Sequence, residues 1–136
     1  MISKHRFEIR GNVGKEPEMR FTPSGQAVCT FSVAVNEQYT NKAGEQIKQT
    51  MWVRVQTWGK SAENCNQYVK KGMLVECEGK LQFDPVTGSP KLFERQDGSN
   101  GVSFEMNAYR IDFLSRVDSA SEPQQEVVRD TEEVPF

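Results

Sequence analysis

Hydrophobic and polar residues alternate along much of the chain, a pattern typical of β-strands, whose successive side chains point to opposite faces of a sheet. The clearest segment is 51–58, where one parity carries Met51, Val53, Val55 and Thr57 and the other carries Trp52, Arg54, Gln56 and Trp58. A strand here buries the first set and exposes two indoles, a guanidinium and an amide. The alternative is a strand buried on both faces, which Arg54 and Gln56 disfavour because charged and amide groups fit a dry core poorly.

The same alternation predicts the remaining strands. They are a first strand beginning at Phe7 and continued by 19–22, a second over 27–36, a fourth over 73–81, a short edge strand over 91–95 and a last strand over 102–113. Gly79 indicates a bend or bulge, and the hydrophobic parity of the last strand switches near Tyr109, as a bulge requires. The polar segment 39–49 predicts a protruding hairpin with Tyr39 and Lys42 near its tip.

One helix interrupts the strands. Ser61 is a predicted cap for a helix over residues 62–71, with Glu63 in its first turn, lysines in its last turn and Gly72 as its stop. The element order is then three strands, one helix and two strands. This order predicts an all-β protein, a five-stranded oligonucleotide-binding (OB) barrel with the helix between strands three and four. An SH3-like barrel is the runner-up, and it does not need the helix.

Charge divides the chain into two parts. Residues 1–117 carry 16 Lys and Arg against 13 Asp and Glu, whereas residues 118–136 carry one Arg against six acids, so the overall charge of −2 hides a basic body. The alternating pattern stops at 118, where Ser, Glu, Gln and Asp dominate. We therefore predict a folded domain over 1–117 and a disordered acidic tail over 118–136. A weakly basic body with an acidic tail can still carry a local basic groove for phosphates.

The residues give little basis for catalysis. His5 is the single histidine, and the chain lacks a glycine-rich phosphate loop, a metal-ligand cluster and a paired set of acids. Cys29, Cys65 and Cys77 have no CxxC spacing, so buried thiols in a reducing cytoplasm are expected. No signal segment or membrane-length apolar run is present. The sequence predicts a cytoplasmic protein that is not an enzyme and needs no cofactor or metal.

The exposed indoles suit unpaired nucleotides. Aromatic faces stack on any base, and nearby cations contact phosphates, so the two together bind single strands with little sequence preference. Tyr39 and Phe93 are candidate partners of the two tryptophans. The candidate phosphate contacts are basic side chains spread over the body: Arg6, Arg20, Lys42, Arg54, Lys60 and Lys91.

Several motifs carry a family resemblance across nearly all of residues 1–114. They are GNVGKEPEMRFTPSG at 11–25, WVRV at 52–55, WGKSAE at 58–63 and YVKKG at 68–72. In this order and spacing the chain resembles the bacterial-type single-stranded DNA-binding proteins. The resemblance implies an OB barrel, a homotetramer, and binding of single-stranded DNA in replication, recombination and repair. It also implies base-stacking roles for Tyr39, Trp52 and Trp58.

The fourth stacking position of the family is displaced in this chain. Val86 stands where the family usually has Trp, seven residues beyond the glycine that matches Gly79. If residues 83–90 are an insertion, Phe93 takes that place, because its spacing to Gly98 then agrees with the family. We expect the insertion to lengthen the hairpin between the last two barrel strands and to change how DNA wraps or how tetramers meet.

The carboxyl end resembles the family's acidic terminal motif. It offers a ring, a carboxylate and acidic neighbours to a basic pocket on another protein. The predicted interaction tip consists of Asp130, Glu132, Glu133, Val134, Pro135 and Phe136. The alternative is a tail that only increases solubility.

The sequence thus predicts a sequence-tolerant single-stranded DNA-binding protein of the nucleoid. It would recruit replication and repair enzymes through its carboxyl tip. The competing hypothesis is a subunit of a primosome or similar assembly, with the same barrel adapted to bind proteins.

Overall fold

Five strands close into a barrel in the computed structural model, which describes residues 2–114. The elements in chain order are β1 Phe7–Val13, β2 Glu18–Phe21, β3 Ala27–Thr40, β4 Gln46–Trp58, α1 Gly59–Tyr68, β5 Leu74–Leu81, β6 Leu92–Glu94, β7 Asn100–Val102 and β8 Phe104–Phe113. The predicted acidic tail over 118–136 and its interaction tip lie outside the described residues.

The barrel strands follow the order β1-β5-β8-β4-β3, and β3 pairs back with β1 to close the sheet. Closure removes the unpaired strand edges that would otherwise invite association. β4 and β8 pair in parallel, with Arg54 opposite Glu105 and Gln56 opposite Asn107, while the other pairings are antiparallel. β2 pairs with the first residues of β3 at the edge of the sheet. In chain order, α1 lies between β4 and β5, which are the third and fourth barrel strands. The predicted OB barrel is confirmed.

Alternation along β4 decides what enters the core. Val53, Val55 and Thr57 are fully buried inside the barrel, where they join valines of the other strands and Met106. Val53 and Val55 would each lose roughly 1.5–3 kcal/mol of burial free energy if they were moved to solvent, so a one-residue slip of β4 is strongly disfavoured. The register therefore fixes the outward direction of the remaining β4 side chains.

The predicted bulge is present where β5 pairs with β8. Glu78 opposes Arg110 and Gly79 opposes Ala108, so Tyr109 has no partner in the ladder. Glycine is required at this point, since a Cβ on Gly79 would overlap the backbone carbonyl of Asn107. The parity switch read from the sequence is thus the signature of a real irregularity.

The predicted helix boundaries are wrong. α1 begins at Gly59, directly after β4, with Trp58 as an N-cap whose side chain makes no capping hydrogen bond to the helix, so Ser61 lies inside the helix. Gly59 adopts a positive φ of 60°, which lets the chain turn from strand to helix without a loop. The helix ends at Tyr68, so the two lysines fall beyond its last turn, and neither Glu63 nor another acid stands in its first turn.

The hairpin over 39–49 is confirmed, but its strands are longer than predicted. Tyr39 pairs with Ile47, and the turn is closed by Asn41, whose Oδ1 accepts hydrogen bonds from the backbone N–H groups of Ala43 and Glu45, each at 2.9 Å. Polar residues pair here because a ribbon that projects into solvent needs no buried face.

A second, two-stranded sheet stands apart from the barrel sheet. β6 confirms the predicted short strand, and it pairs with β7, which the sequence had assigned to a turn and to the start of the last strand. Among residues 2–114 there is no helix long and apolar enough to cross a lipid bilayer.

Candidate nucleic-acid interface

β4 presents a mixed aromatic and polar surface to the outside of the barrel. Trp58 is 37% exposed, Trp52 is half-buried and Arg54 is exposed, while the residues between them face the core. The alternative of a strand buried on both faces is therefore wrong. We call this surface the indole face, and it consists of Trp52, Arg54, Gln56 and Trp58 with the outward side chains opposite them on β3 and β8.

Small side chains of β3 form the floor of the indole face. Ala34 lies opposite Trp52 and Val28 lies opposite Trp58, and both small residues are fully buried although they point away from the core. Directly opposed residues of an antiparallel pair share one face and stand about 5 Å apart. The small neighbours leave space for the flat indoles, whose outer surfaces remain in solvent.

A cleft of about 560 Å³ opens beside Trp52. Its walls include Trp52 and Arg54 from β4, Phe93 from β6 and Phe104 from β8. Three of the predicted site residues are thereby brought together from two different sheets. Lys15, Glu16, Glu18 and Glu105 also line the cleft, so its rim carries both signs of charge.

The β6–β7 hairpin holds Phe93 at the cleft. Phe93 pairs with Gly101, and a Cβ on Gly101 would meet the Phe93 ring at 2.7 Å, so glycine permits the ring to lie across β7. Arg95 places its guanidinium carbon 5.5 Å from the Phe93 ring centroid and donates to the backbone oxygen of Asn100. The phenylalanine remains 46% exposed and has a cation beside it.

The turn of this hairpin is fixed by Asp97. Its Oδ1 accepts hydrogen bonds from the hydroxyl of Ser99 at 2.7 Å and from the Ser99 backbone N–H at 2.9 Å. These bonds favour the charged carboxylate and lower the pKa of Asp97. The turn that presents Phe93 is therefore formed with its acid ionised.

Trp58 belongs to a polar network that crosses three parts of the chain. Its Nε1–H donates to Oδ1 of Asn107 at 3.2 Å. Gln82 donates through Nε2 to the same oxygen at 2.8 Å and to Oε1 of Gln56 at 3.0 Å. Lys91 donates through Nζ to Oε1 of Gln82 at 3.0 Å. The predicted residues Trp58 and Lys91 are thus connected through Asn107 and Gln82.

Two further predicted cations lie on or beside the indole face. Arg20 opposes Val28, which opposes Trp58, and its Nη1 donates to Oγ1 of Thr30 at 3.3 Å. Lys60 is exposed two residues after Trp58, at the start of α1. Arg20 and Lys60 therefore both lie at the end of the indole face where Trp58 stands.

The structure does not bring the other three predicted residues to the indole face. Tyr39 is half exposed on the ribbon, and its parity along β3 points it to the face opposite Trp52. Lys42 lies in the ribbon turn. Arg6 makes a 3.3 Å ion pair with Glu78 on β5, a carboxylate that Arg110 also approaches at 3.8 Å.

Sequence reasoning missed Asn107, Gln82 and Arg95. Asn107 has the outward parity of β8 and Arg95 has the parity of Phe93, so the alternation could have assigned their faces. Their neighbours depend on long-range pairing, which alternation does not show. Residues 2–114 contain no group of three His, Cys, Asp or Glu side chains arranged to hold a metal ion.

The closed five-stranded barrel, with its helix between the third and fourth barrel strands, is an OB fold. Aromatic side chains lie on its outer surface. The chain belongs to the single-strand binding protein family, whose model matches residues 4–114. Proteins of this family bind DNA and are not enzymes.

Relatives agree with this assignment. The chain is 36% identical over 110 residues to the single-stranded DNA-binding protein A of Bacillus subtilis, covering 81% of this chain and 59% of the relative. It is 32% identical over 113 residues to the single-stranded DNA-binding protein of Neisseria meningitidis serogroup A, covering 83% and 61%. The match therefore spans about three fifths of each relative. A Plasmodium falciparum SSB solved in complex with ssDNA shares the fold, with a TM-score of 0.69 at 22% identity, covering 85% of this chain and 98% of that one.

Proposed function

We propose that the protein binds single-stranded DNA with little sequence preference. The observation that carries the proposal is the cleft in which Trp52, Arg54 and Phe93 meet. It places two aromatic rings and a cation within one opening, which is the combination that a base and its phosphate require. Trp58 continues the surface along the same strand.

Stacking supplies a part of the binding free energy that does not depend on sequence. A base stacked on an aromatic side chain contributes about 1–3 kcal/mol, and every base has a stacking face, so the contribution does not depend on sequence. Bases of a duplex are already stacked on each other and are not available to Trp52, Trp58 or Phe93. Single strands are therefore bound in preference to duplex.

Cations around the face contact the phosphates. Arg20, Arg54, Lys60 and Lys91 lie on or beside the indole face, and each phosphate neutralised contributes about 0.7 to the slope of log affinity against log salt concentration. Tyr39 and Lys42 take part if the strand also follows the ribbon, where Tyr39 offers a stacking ring. Arg6 reaches a phosphate only by leaving its ion pair with Glu78.

Membership of the family supports a proposal for the cellular role. We propose that residues 1–117 form the DNA-binding and oligomerisation domain of a homotetramer that protects single strands during replication, recombination and repair. The acidic residues 118–136 recruit replication and repair enzymes through the tip that ends in Phe136. Such a protein works in the cytoplasm, on the nucleoid.

Competition between nucleic acids tests the binding proposal. A fluorescein-labelled dT oligomer is bound to the protein, and unlabelled single strands of mixed sequence or duplex of equal length are added. Single strands of any sequence should displace the label at similar concentrations, and duplex should displace it far less. Displacement by duplex at equal concentration would contradict the stacking mechanism, and no binding of the label would favour the protein-interaction alternative.

The loop over 83–90 allows a test of how DNA wraps around the assembly. It is closed on itself by Asp84, whose backbone N–H donates to the Ser89 carbonyl at 2.8 Å, so it is an ordered projection between β5 and β6. We propose that it alters how DNA wraps around the assembly or how tetramers meet. Removal of residues 84–89 should change the number of nucleotides occluded per tetramer in a fluorescence titration. An unchanged site size would contradict this role.

A further inference from the structure

We propose that Gln82 and Asn107 are positioning residues that together fix the plane of Trp58 and hold Lys91 beside it for single-stranded DNA. The inference rests on the proposed function and deepens it, because it names the side chains that prepare one stacking ring and one phosphate contact before DNA arrives. Neither residue needs to touch DNA itself.

Asn107 controls the orientation of the indole. An indole has a single polar group, the Nε1–H donor, and in Trp58 that group donates to Oδ1 of Asn107 at 3.2 Å. A partly exposed ring on a strand is otherwise free to rotate about its Cβ–Cγ bond. The hydrogen bond selects one rotation, and with it the ring plane that a base meets.

Gln82 in turn fixes Asn107. Both hydrogens of its amide are used, one toward Oδ1 of Asn107 at 2.8 Å and one toward Oε1 of Gln56 at 3.0 Å. Oδ1 of Asn107 accepts from Trp58 and Gln82 together, so its amide has one consistent orientation. The backbone of Gln82 is itself anchored, since its N–H donates to the carbonyl oxygen of Glu105 at 2.8 Å.

The same glutamine positions a cation. Its remaining polar atom, Oε1, accepts from Nζ of Lys91 at 3.0 Å. Gln82 and Lys91 flank the loop over 83–90, so this bond closes the loop at its base and places the ammonium group on the Trp58 side of the barrel. A phosphate next to a base stacked on Trp58 would therefore find a cation already in place.

The arrangement has the features of a prepared binding surface rather than of a core. Trp58, Asn107 and Lys91 are exposed and Gln82 is half-buried. Hydrogen bonds in contact with water add little to folding, so these side chains can be replaced without large loss of stability. Preorganisation of a ring and a cation instead reduces the ordering cost of binding.

The first experiment reads the indole directly. In a Trp52→Phe protein Trp58 is the single tryptophan, and its Nε1–H gives one side-chain signal in a ¹H–¹⁵N spectrum. Without DNA, Asn107→Leu should speed solvent exchange of that proton by about fivefold, whereas Asn107→Asp, which keeps the acceptor oxygen, should leave it slow. Equal exchange rates in all three proteins would overturn the proposal.

The second experiment measures binding of a dT oligomer in proteins with unchanged thermal midpoints. Asn107→Leu and Gln82→Met should each weaken binding by about threefold to tenfold, as should Lys91→Met. The double variant of Gln82→Met and Lys91→Met should lose less than the sum of the two single losses, because Lys91 depends on its bond to Gln82 for its position. Additive losses would overturn the link between these two residues.

DNA binding by the protein and the positioning role of Asn107 can be tested separately. If the wild-type protein did not bind the dT oligomer, the proposed function would be contradicted, and the positioning role in DNA binding would be lost with it. If the wild-type protein bound and Asn107→Leu bound equally well, the proposed function would stand and the positioning role alone would be overturned.

Discussion

Trp52 and Phe93 line one cleft although they belong to two separate sheets, the barrel sheet and the β6–β7 hairpin. Trp52 is fixed by the register of β4, whereas Phe93 depends on a short hairpin with its own turn. A base between them would contact a rigid ring on one side and a ring on a smaller element on the other. The two rings should therefore differ in how much each contributes to binding.

Replacement of Trp52 tests the rigid ring. Trp52→Ala should weaken binding of a dT oligomer by about 1–3 kcal/mol, and Trp52→Phe should retain most of the affinity because a stacking face remains. Fluorescence anisotropy of a labelled oligomer measures both variants. Tyr68→Ala is the matched control, since Tyr68 is a half-exposed ring on α1 that contacts Phe113 away from the face. An equal loss in the control would argue against a specific role for Trp52.

Arg54 should contribute to the salt dependence of DNA binding. Arg54→Met removes one cation from the cleft wall and should reduce the slope of log affinity against log salt by about 0.7. Arg10→Met is the control, because Arg10 is ion-paired at 3.3 Å with Glu76 on the β1–β5 side of the barrel. Titrations at several salt concentrations give both slopes. The same change of slope in both variants would show that general charge, not position, is responsible.

Gly79 should be essential to barrel closure. Gly79→Ala places a methyl group against the carbonyl of Asn107 and the Cα of Ala108, so we expect a loss of at least about 1–3 kcal/mol in the free energy of unfolding. Gly25→Ala is a useful comparison, since Gly25 has a φ of 92° and no heavy atom within 4 Å of an added Cβ. That change should cost only about 1 kcal/mol of backbone strain. Urea denaturation measures the loss of stability in both variants. Equal losses would show that steric overlap at Gly79 is unimportant.

The buried thiols predict a pH dependence of stability. Burial, with a smaller contribution from Cys65, raises the pKa of Cys29 from 9.0 to about 11, and burial raises the pKa of Cys77 to about 12. A raised pKa in the folded state gives stability that is complete below pH 9 and is lost as the pH rises toward 11 and 12, because the unfolded thiols ionise first.

Urea denaturation between pH 8 and pH 11 measures this loss. The Cys29→Ala variant should show a shallower decline of stability with pH than the wild-type protein, since one of the titrating thiols is absent. Parallel declines would contradict the assignment to Cys29.

Local pattern was sufficient for the barrel strands and for the direction of the β4 side chains. Alternation decides which side chains are buried, and it assigned Trp52 and Trp58 to the outside because Arg54 lies between them. The bulge at Tyr109 was also readable, since an extra residue shifts the parity of everything after it.

Pairing between strands that are distant in the chain explains which contacts of the site could not be predicted from the sequence. Asn107 reaches Trp58 because β8 pairs in parallel with β4, and nothing in either segment specifies that partner. The helix start was misplaced for a different reason. Ser61 is a good cap by type, but Gly59 turns the chain directly out of β4 and the helix begins before a cap is reached.

Tryptophan fluorescence during addition of poly(dT) tests the central claim most directly, because Trp52 and Trp58 are the only two tryptophans of the chain. Bases stacked on the indoles should strongly quench the emission, and the single-tryptophan variants Trp52→Phe and Trp58→Phe should each show their own share of the quenching. Emission that stays unchanged while a labelled strand is demonstrably bound would contradict stacking on these rings.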